Sequence, residues 1–245
     1  MASRRGRGAG RPSWRDRAFV VRTYDFGEAD RVVVLLTRDH GLVRGVAKGV
    51  RKARSRFGSR LQPFVEVDVQ VYPGRGLSTI TSADTVAFYG HAIIDDFDRY
   101  AAGCAMLEAA EKLSFDQGDP ELFALLQEGF ERLQSPTHPT LVLDAFLLKA
   151  AAHAGWKMSL FNCANCQTPG PHKAFHAAAG GAVCTLCRPP GAMDVDPEVL
   201  HSMWLLEHDH VCSEEFAEQV HRATSAHLQF YLGAGLTSLR VMKQA

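Results

Sequence analysis

Between Phe64 and Tyr72 the chain alternates without a fault: Val65, Val67, Val69 and Val71 are separated by Glu66, Asp68 and Gln70. A period of two cannot be sustained on a helix, so this segment predicts a β-strand with one face buried and one in water. Shorter runs of β-branched and apolar residues flank it, at Phe19–Tyr24, Arg31–Thr37, Leu42–Lys48 and Leu77–Ala83. Turn residues separate several of them, Asp39-His40-Gly41 before the third and Pro73-Gly74-Arg75-Gly76 before the fifth. Strands so short and so close in the chain suit a small closed barrel.

Past Asp84 the apolar period changes to that of a helix. Leu141, Ala145, Leu148 and Ala152 recur at helical spacing, and similar stripes fall over 100–115 and 121–133. Pro120 and Thr140 suit the first turn and the cap of two of these helices. Helices are expected again at Pro197–Leu206 and over 213–232, where Phe216, Val220, Ala223, His227 and Phe230 share a face. The expected class is α+β, a five-stranded barrel followed by a helical body. Its expected divisions are a disordered basic tail 1–14, a barrel 15–85, helical segments 86–159 and 192–245, and a cysteine-rich insert 160–191.

That insert holds Cys163-Ala164-Asn165-Cys166 and Cys184-Thr185-Leu186-Cys187, two C-x2-C pairs with 17 residues between them. Each pair can turn two thiolates toward one point, and two such turns close a tetrahedron around Zn²⁺. Four thiolates leave no position for water, so a single structural zinc ion per chain is expected. The residues between the pairs are Gly-, Ala- and Pro-rich and offer little core of their own, which gives the metal a folding role. A thioredoxin-type redox pair would need a βαβ context that is missing here. His172 and His176, between the pairs, are able to replace one cysteine as ligand but read as solvated loop residues, and Cys104 and Cys212 read as small buried hydrophobes.

Net charge is zero, but its distribution is lopsided: residues 1–60 carry 16 Lys and Arg against 5 Asp and Glu, and the remainder 11 against 22. A basic segment of that strength attracts polyanions. Its densest part runs from Lys48 to Arg60 and contains Lys48, Arg51, Lys52, Arg54, Arg56 and Arg60 without one acid. Phe57 among them is expected to stack on a base, and Arg22, Arg31 and Arg44 to extend the cationic surface over the strands. No phosphate-binding nucleotide loop, H-E-x-x-H, Ser/His/Asp or paired-carboxylate pattern stands out. His208-Asp209-His210 reads as a polar loop between helices. The chain is therefore expected to bind rather than catalyse. The start of the chain has no apolar signal region and no run approaches the roughly 18–20 apolar residues of a membrane span. No membrane association is expected, and a cytoplasmic, nucleoid-associated location is.

Several short motifs carry a family resemblance. Gly27-Glu28-Ala29-Asp30-Arg31, His40-Gly41-Leu42, Ala47-Lys48-Gly49-Val50-Arg51-Lys52, Ser55-Arg56-Phe57-Gly58 and Leu61-Gln62-Pro63 together make the chain, from about Trp14 onward, resemble the RecO family of bacterial DNA repair proteins. The Arg/Gly-rich stretch before Trp14 departs from the family pattern. The resemblance implies that the barrel is an OB-fold. It also implies binding to single- and double-stranded DNA, annealing of complementary strands, and action with RecR and single-strand-binding protein to load the RecA recombinase. Arg31, Lys48, Arg51, Lys52, Arg54 and Arg56 inherit the DNA contact from it. Two other readings stay open from the residues alone. One is a recruitment scaffold whose acidic helical half docks RecR or the tail of single-strand-binding protein. The other is an RNA-binding or transcription-type zinc protein.

Overall fold

A computed structural model describes residues 12–115, 117–233 and 235–238. The chain divides into two compact units: one reaches Phe88 and includes the segment Phe115–Asp119, and the other comprises Tyr89–Ser114 and the chain from Pro120 onward.

The first unit is a closed five-stranded barrel with strand order β1-β2-β3-β5-β4. Its strands are β1 (Trp14–Phe26), β2 (Asp30–Thr37), β3 (Gly41–Ala47), β4 (Val65–Tyr72) and β5 (Ser78–Phe88). β1 closes the barrel because it serves two neighbours. Trp14–Phe19 pair with β4 and Ala18–Phe26 with β2, and the register shifts between Val20 and Arg22. β3 and β5 run parallel at Gly45–Val46 against Ser78–Thr79, where a side chain on Gly45 would come within 2.8 Å of Ile80. This arrangement is the five-stranded Greek-key barrel of the OB-fold. The alternating valines of β4 fill its interior with Ala18, Val20, Val33, Leu35 and Ile80.

Two expectations about these strands need correction. The basic tail does not extend to residue 14: Trp14 opens β1 and stacks on His40 with ring centroids 3.9 Å apart, while residues 1–11 lie outside the described residues. The charged run Arg15-Asp16-Arg17 is strand because each side chain meets a partner distant in the chain. Arg15 Nε donates to Asp68 at 2.7 Å, Asp16 Oδ2 pairs with His40 Nδ1 at 2.7 Å, and Arg17 binds Glu66. Glu66, on the polar side of the alternation, is 0% exposed, so the second face of β4 is also covered at that point.

The second unit is helical. Its helices are α1 (Gly90–Ile93), α2 (Phe97–Leu113), α3 (Pro120–Leu133), α4 (Pro139–His153), α5 (Pro197–Glu207) and α6 (Ala217–Leu232). Asp96 and Asp196 cap α2 and α5, accepting from the amides of Arg99 at 2.9 Å and Glu198 at 3.0 Å. α4 starts at Pro139 with His138 in the cap position, so Thr140 is not its cap. Leu141–Leu148 are all buried, and α4 packs against α2, α3, α5 and α6; a helix that is apolar all round becomes the central one. Within that apolar run Asp144 is buried and accepts from His221 Nδ1 of α6 at 2.9 Å. On α6 the buried face is Val220, Ala223, His227 and Leu228, while Phe230 turns outward. No helix among the described residues is long and apolar enough to cross a membrane.

Candidate metal centre and nucleic-acid interface

Between α4 and α5 the chain forms a small three-stranded sheet, order β7-β6-β8, from β6 (Ala174–His176), β7 (Gly181–Ala182) and β8 (Met193–Asp194). Gly181, at φ +146°, lies so close to Ser159 that a side chain there would fall 2.2 Å from the Ser159 carbonyl oxygen. The two cysteine turns face each other beside this sheet. The Ala164 amide donates to the Ala182 carbonyl at 2.8 Å, and the Cys184 amide reaches Cys163 Sγ at 3.4 Å. After Cys166 the chain turns through Gln167 in the left-handed conformation, and the Thr168 hydroxyl meets Cys166 Sγ at 3.2 Å.

The result is a cage. The sulfurs of Cys163, Cys166, Cys184 and Cys187 all lie within 4.8 Å of one another, and Cys166 and Cys184 are 3.8 Å apart. Zn–S bonds of about 2.3 Å in a tetrahedron would set sulfurs about 3.8 Å apart, so the donor set fits the ion. The electrostatics point the same way. Amides, that of Cys166 foremost, push the Cys163 thiol down to about 6 against the effect of its burial. Hydrogen bonding to the sulfurs of Cys166 and Cys184 pushes Cys187 up to about 12. Four sulfurs this close cannot all shed their protons unless a cation sits among them. His172 corrects the sequence reading: it is 6% exposed rather than solvated, and its Nε2 donates to the Thr168 carbonyl at 3.0 Å, bracing the first cysteine turn. His176 lies half-buried on β6.

The cationic residues lie on β1, β2, β3 and the long β3–β4 connection. Gly49 and Arg51 fasten that connection to the β1–β2 turn, donating from their amides to Asp30 Oδ1 at 2.7 Å and the Ala29 carbonyl at 3.0 Å. Its other anchor is apolar. Phe57 is 1% exposed and enters the barrel core with Leu61, so the expected base-stacking role of Phe57 is withdrawn; the ring plugs the barrel because the core would otherwise be open there. Arg56 lies over the outer side of that ring, 4.9 Å from its centroid.

The expected cations are not equivalent. Among the described residues, Arg44, Lys48, Lys52 and Arg54 are exposed and have no carboxylate partner. Arg31 and Arg51 share Asp25, at 3.0 and 3.4 Å. Arg60 braces the loop, donating to the carbonyls of Arg56 at 2.9 Å and Ala83 at 3.4 Å, and Arg22 donates to the Tyr24 hydroxyl at 3.2 Å. Arg22 and Arg44 both stand opposite Val34, whereas Arg31 falls in the alternate row with Val33 and Leu35, whose side chains fill the barrel. The strand arginines therefore do not form one continuous face.

Sequence reasoning passed over Tyr24 and Phe26, large aromatics that stay exposed beside this loop. Their alternate spacing in a strand was the available signal.

An OB-fold barrel bearing an exposed cationic loop, joined in one chain to a helical body with a four-cysteine cage, defines the class of protein. The model for the recombination protein O N-terminal domain matches residues 12–89, and that for its C-terminal domain matches residues 94–240. The DNA repair protein RecO of Thermobifida fusca (strain YX) is 47% identical over 240 residues, covering 95% of this chain and 99% of its own length. The chain belongs to the RecO family of DNA repair proteins.

Proposed function

We propose that this chain is a non-catalytic DNA-binding and strand-annealing protein of recombinational repair, acting with RecR and single-strand-binding protein to help load RecA. The observation that carries the DNA-binding part is the β3–β4 connection, where Lys48, Lys52, Arg54 and Arg56 project into solvent with no acid among the described residues against them. Cations held in this way neutralise phosphates, release condensed counterions and screen two like-charged strands so that bases can pair. Arg44 and Arg51 add to that surface, and no bond is made or broken. RecR, the tail of single-strand-binding protein and, through them, RecA are proposed as partners from family membership. The basic balance of residues 1–60, 16 Lys and Arg against 5 Asp and Glu, and the acidic balance of residues 61–245, 11 against 22, support a DNA contact on the first three strands and the β3–β4 connection, with protein contacts elsewhere.

In this reading the four cysteines hold one Zn²⁺, which crosslinks two turns and supplies no reactive site.

Annealing measured across ionic strength tests the reading. If about six phosphates are engaged, affinity for DNA should fall on the order of 10³-fold or more between 50 and 200 mM salt. Replacing Arg51, Lys52, Arg54 and Arg56 together by Ala should reduce both annealing and the salt slope while circular dichroism stays unchanged. A flat salt response, or full annealing by that variant, removes the loop from the mechanism. RNA outcompeting single-stranded DNA would favour RNA as the ligand.

A further inference from the structure

We propose that Tyr24 and Phe26, on the β1–β2 hairpin, form a stacking platform for two bases of a single strand. This rests on the DNA-binding reading above and adds to it the part of the ligand that a duplex cannot offer. Both residues are 50% exposed, although aromatic rings of this size are among the groups most favoured by burial. Among the described residues neither packs against another ring. They are alternate residues of β1 and lie on the same side of the strand, whereas Asp25 between them takes the other side and holds Arg31 and Arg51.

The strand register sets what surrounds them. Tyr24 is opposite Val32, and Val32 opposite Val46; one step along, Arg22 and Arg44 flank Val34 in the same way. In the other direction Phe26 is opposite Asp30, whose carboxylate accepts from the Gly49 amide at the root of the cationic loop. The face therefore runs from an arginine row, through Tyr24, to Phe26 and then to a loop bearing Lys48 and Lys52. The Arg51 guanidinium also reaches the Gly27 carbonyl at 3.5 Å, so the cationic loop is hydrogen-bonded to the turn that follows Phe26.

Spacing selects the ligand. Alternate strand residues lie about 6.6–6.8 Å apart, roughly twice the 3.4 Å step of one strand in a duplex. Two rings at that separation can each take the face of one base from an extended strand. They cannot enter a stacked duplex, whose base faces are already covered. Phosphates on either side would meet Arg44, Lys48 and Lys52. Aromatic rings beside a cationic track are how single strands are bound without regard to sequence.

The test compares three ligands of equal length: an ordinary single strand, the same strand with abasic sites and hence the same phosphate charge, and the corresponding duplex. The full-length chain should bind the ordinary strand more tightly than the abasic one. The Tyr24→Ala/Phe26→Ala variant, which removes both stacking faces, should lose on the order of 30-fold or more in affinity for the ordinary strand. It should then bind ordinary and abasic strands alike, with duplex affinity and salt slope unchanged; Tyr24→Phe should behave as the parent. Equal binding of ordinary and abasic strands by the unaltered chain overturns the platform without any variant, as does undiminished single-strand binding by the double variant. Those failures leave the cationic loop standing. If the unaltered chain binds neither strand nor duplex, the DNA-binding reading fails and the platform fails with it.

Discussion

The barrel and the cysteine module are held together by opposite means. The barrel closes over a continuous apolar interior, in which Val65, Val67, Val69 and Val71 meet Val20, Val33, Leu35 and Ile80 and the loop residues Phe57 and Leu61 fill the remaining space. The module has strands of only two or three residues, and the buried cluster around its cysteines is little more than Cys163, Ala174 and Val183. Burial alone can stabilise the first. The second has little apolar surface of its own: Phe175 and Ala182 pack into the core of the helical unit, and its four cysteines form a donor set for a cation that would add order. A cationic surface thus sits on a scaffold closed by apolar burial, while the donor set that fits a metal lies in the helical unit.

The comparison breaks most directly at the cage. Chelation, or Cys184→Ser, should release the metal and unfold the module, since zinc contributes about 10–16 kcal/mol in small finger peptides. Amide exchange should rise across 160–191 and stay unchanged at Val33 and Leu35. Full protection of the module after the metal is removed would show that the cage is not what holds it.

The converse change is Phe57→Ala, which should cost about 3–5 kcal/mol as a large core deletion. A denaturant midpoint lowered with metal content unchanged would separate the two kinds of order. Unaltered stability accompanied by weaker DNA binding would instead return Phe57 to the surface role that its burial now denies it.

The smallest expected effect is a pH dependence confined to the helical unit. Burial pushes the His227 imidazole below its ordinary 6.5, against the opposing influence of the Trp156 carbonyl, which accepts its Nε2 proton at 2.8 Å. The unfolded chain binds that proton more readily, so stability is complete above about pH 6.5 and declines as pH falls through the lower folded value. Trp156 fluorescence during denaturation at pH 7, 6 and 5 should report the decline, and His227→Gln should flatten it. A slope that His227→Gln leaves intact must arise elsewhere.

What could be read along the chain was whatever is encoded locally. The β4 alternation and the two C-x2-C turns involve neighbours within a few residues, and both stand in the structure as the spacing predicts. β1 starts five residues before the Phe19 that its apolar pattern marks, because Arg15 and Arg17 carry no strand signal until Asp68 and Glu66, 53 and 49 positions away, arrive beside them. Phe57 was misread for the same reason: amid six cations its sequence surroundings are those of a surface loop, and only barrel closure supplies the cavity that it fills. The outward rings of Tyr24 and Phe26 were hidden within an ordinary strand pattern.

By itself, then, the order of residues determined which segments extend, which coil, where four cysteines come together, and that one end of the chain is cationic. Those properties follow from side-chain period and charge, which act over short stretches of chain. Which cations remain free, which are taken by Asp25 or by loop carbonyls, and which aromatic ring faces water were decided only when β1 paired with both β2 and β4. Exposure is a property of a closed surface, and no segment carries it until its distant neighbours are in place.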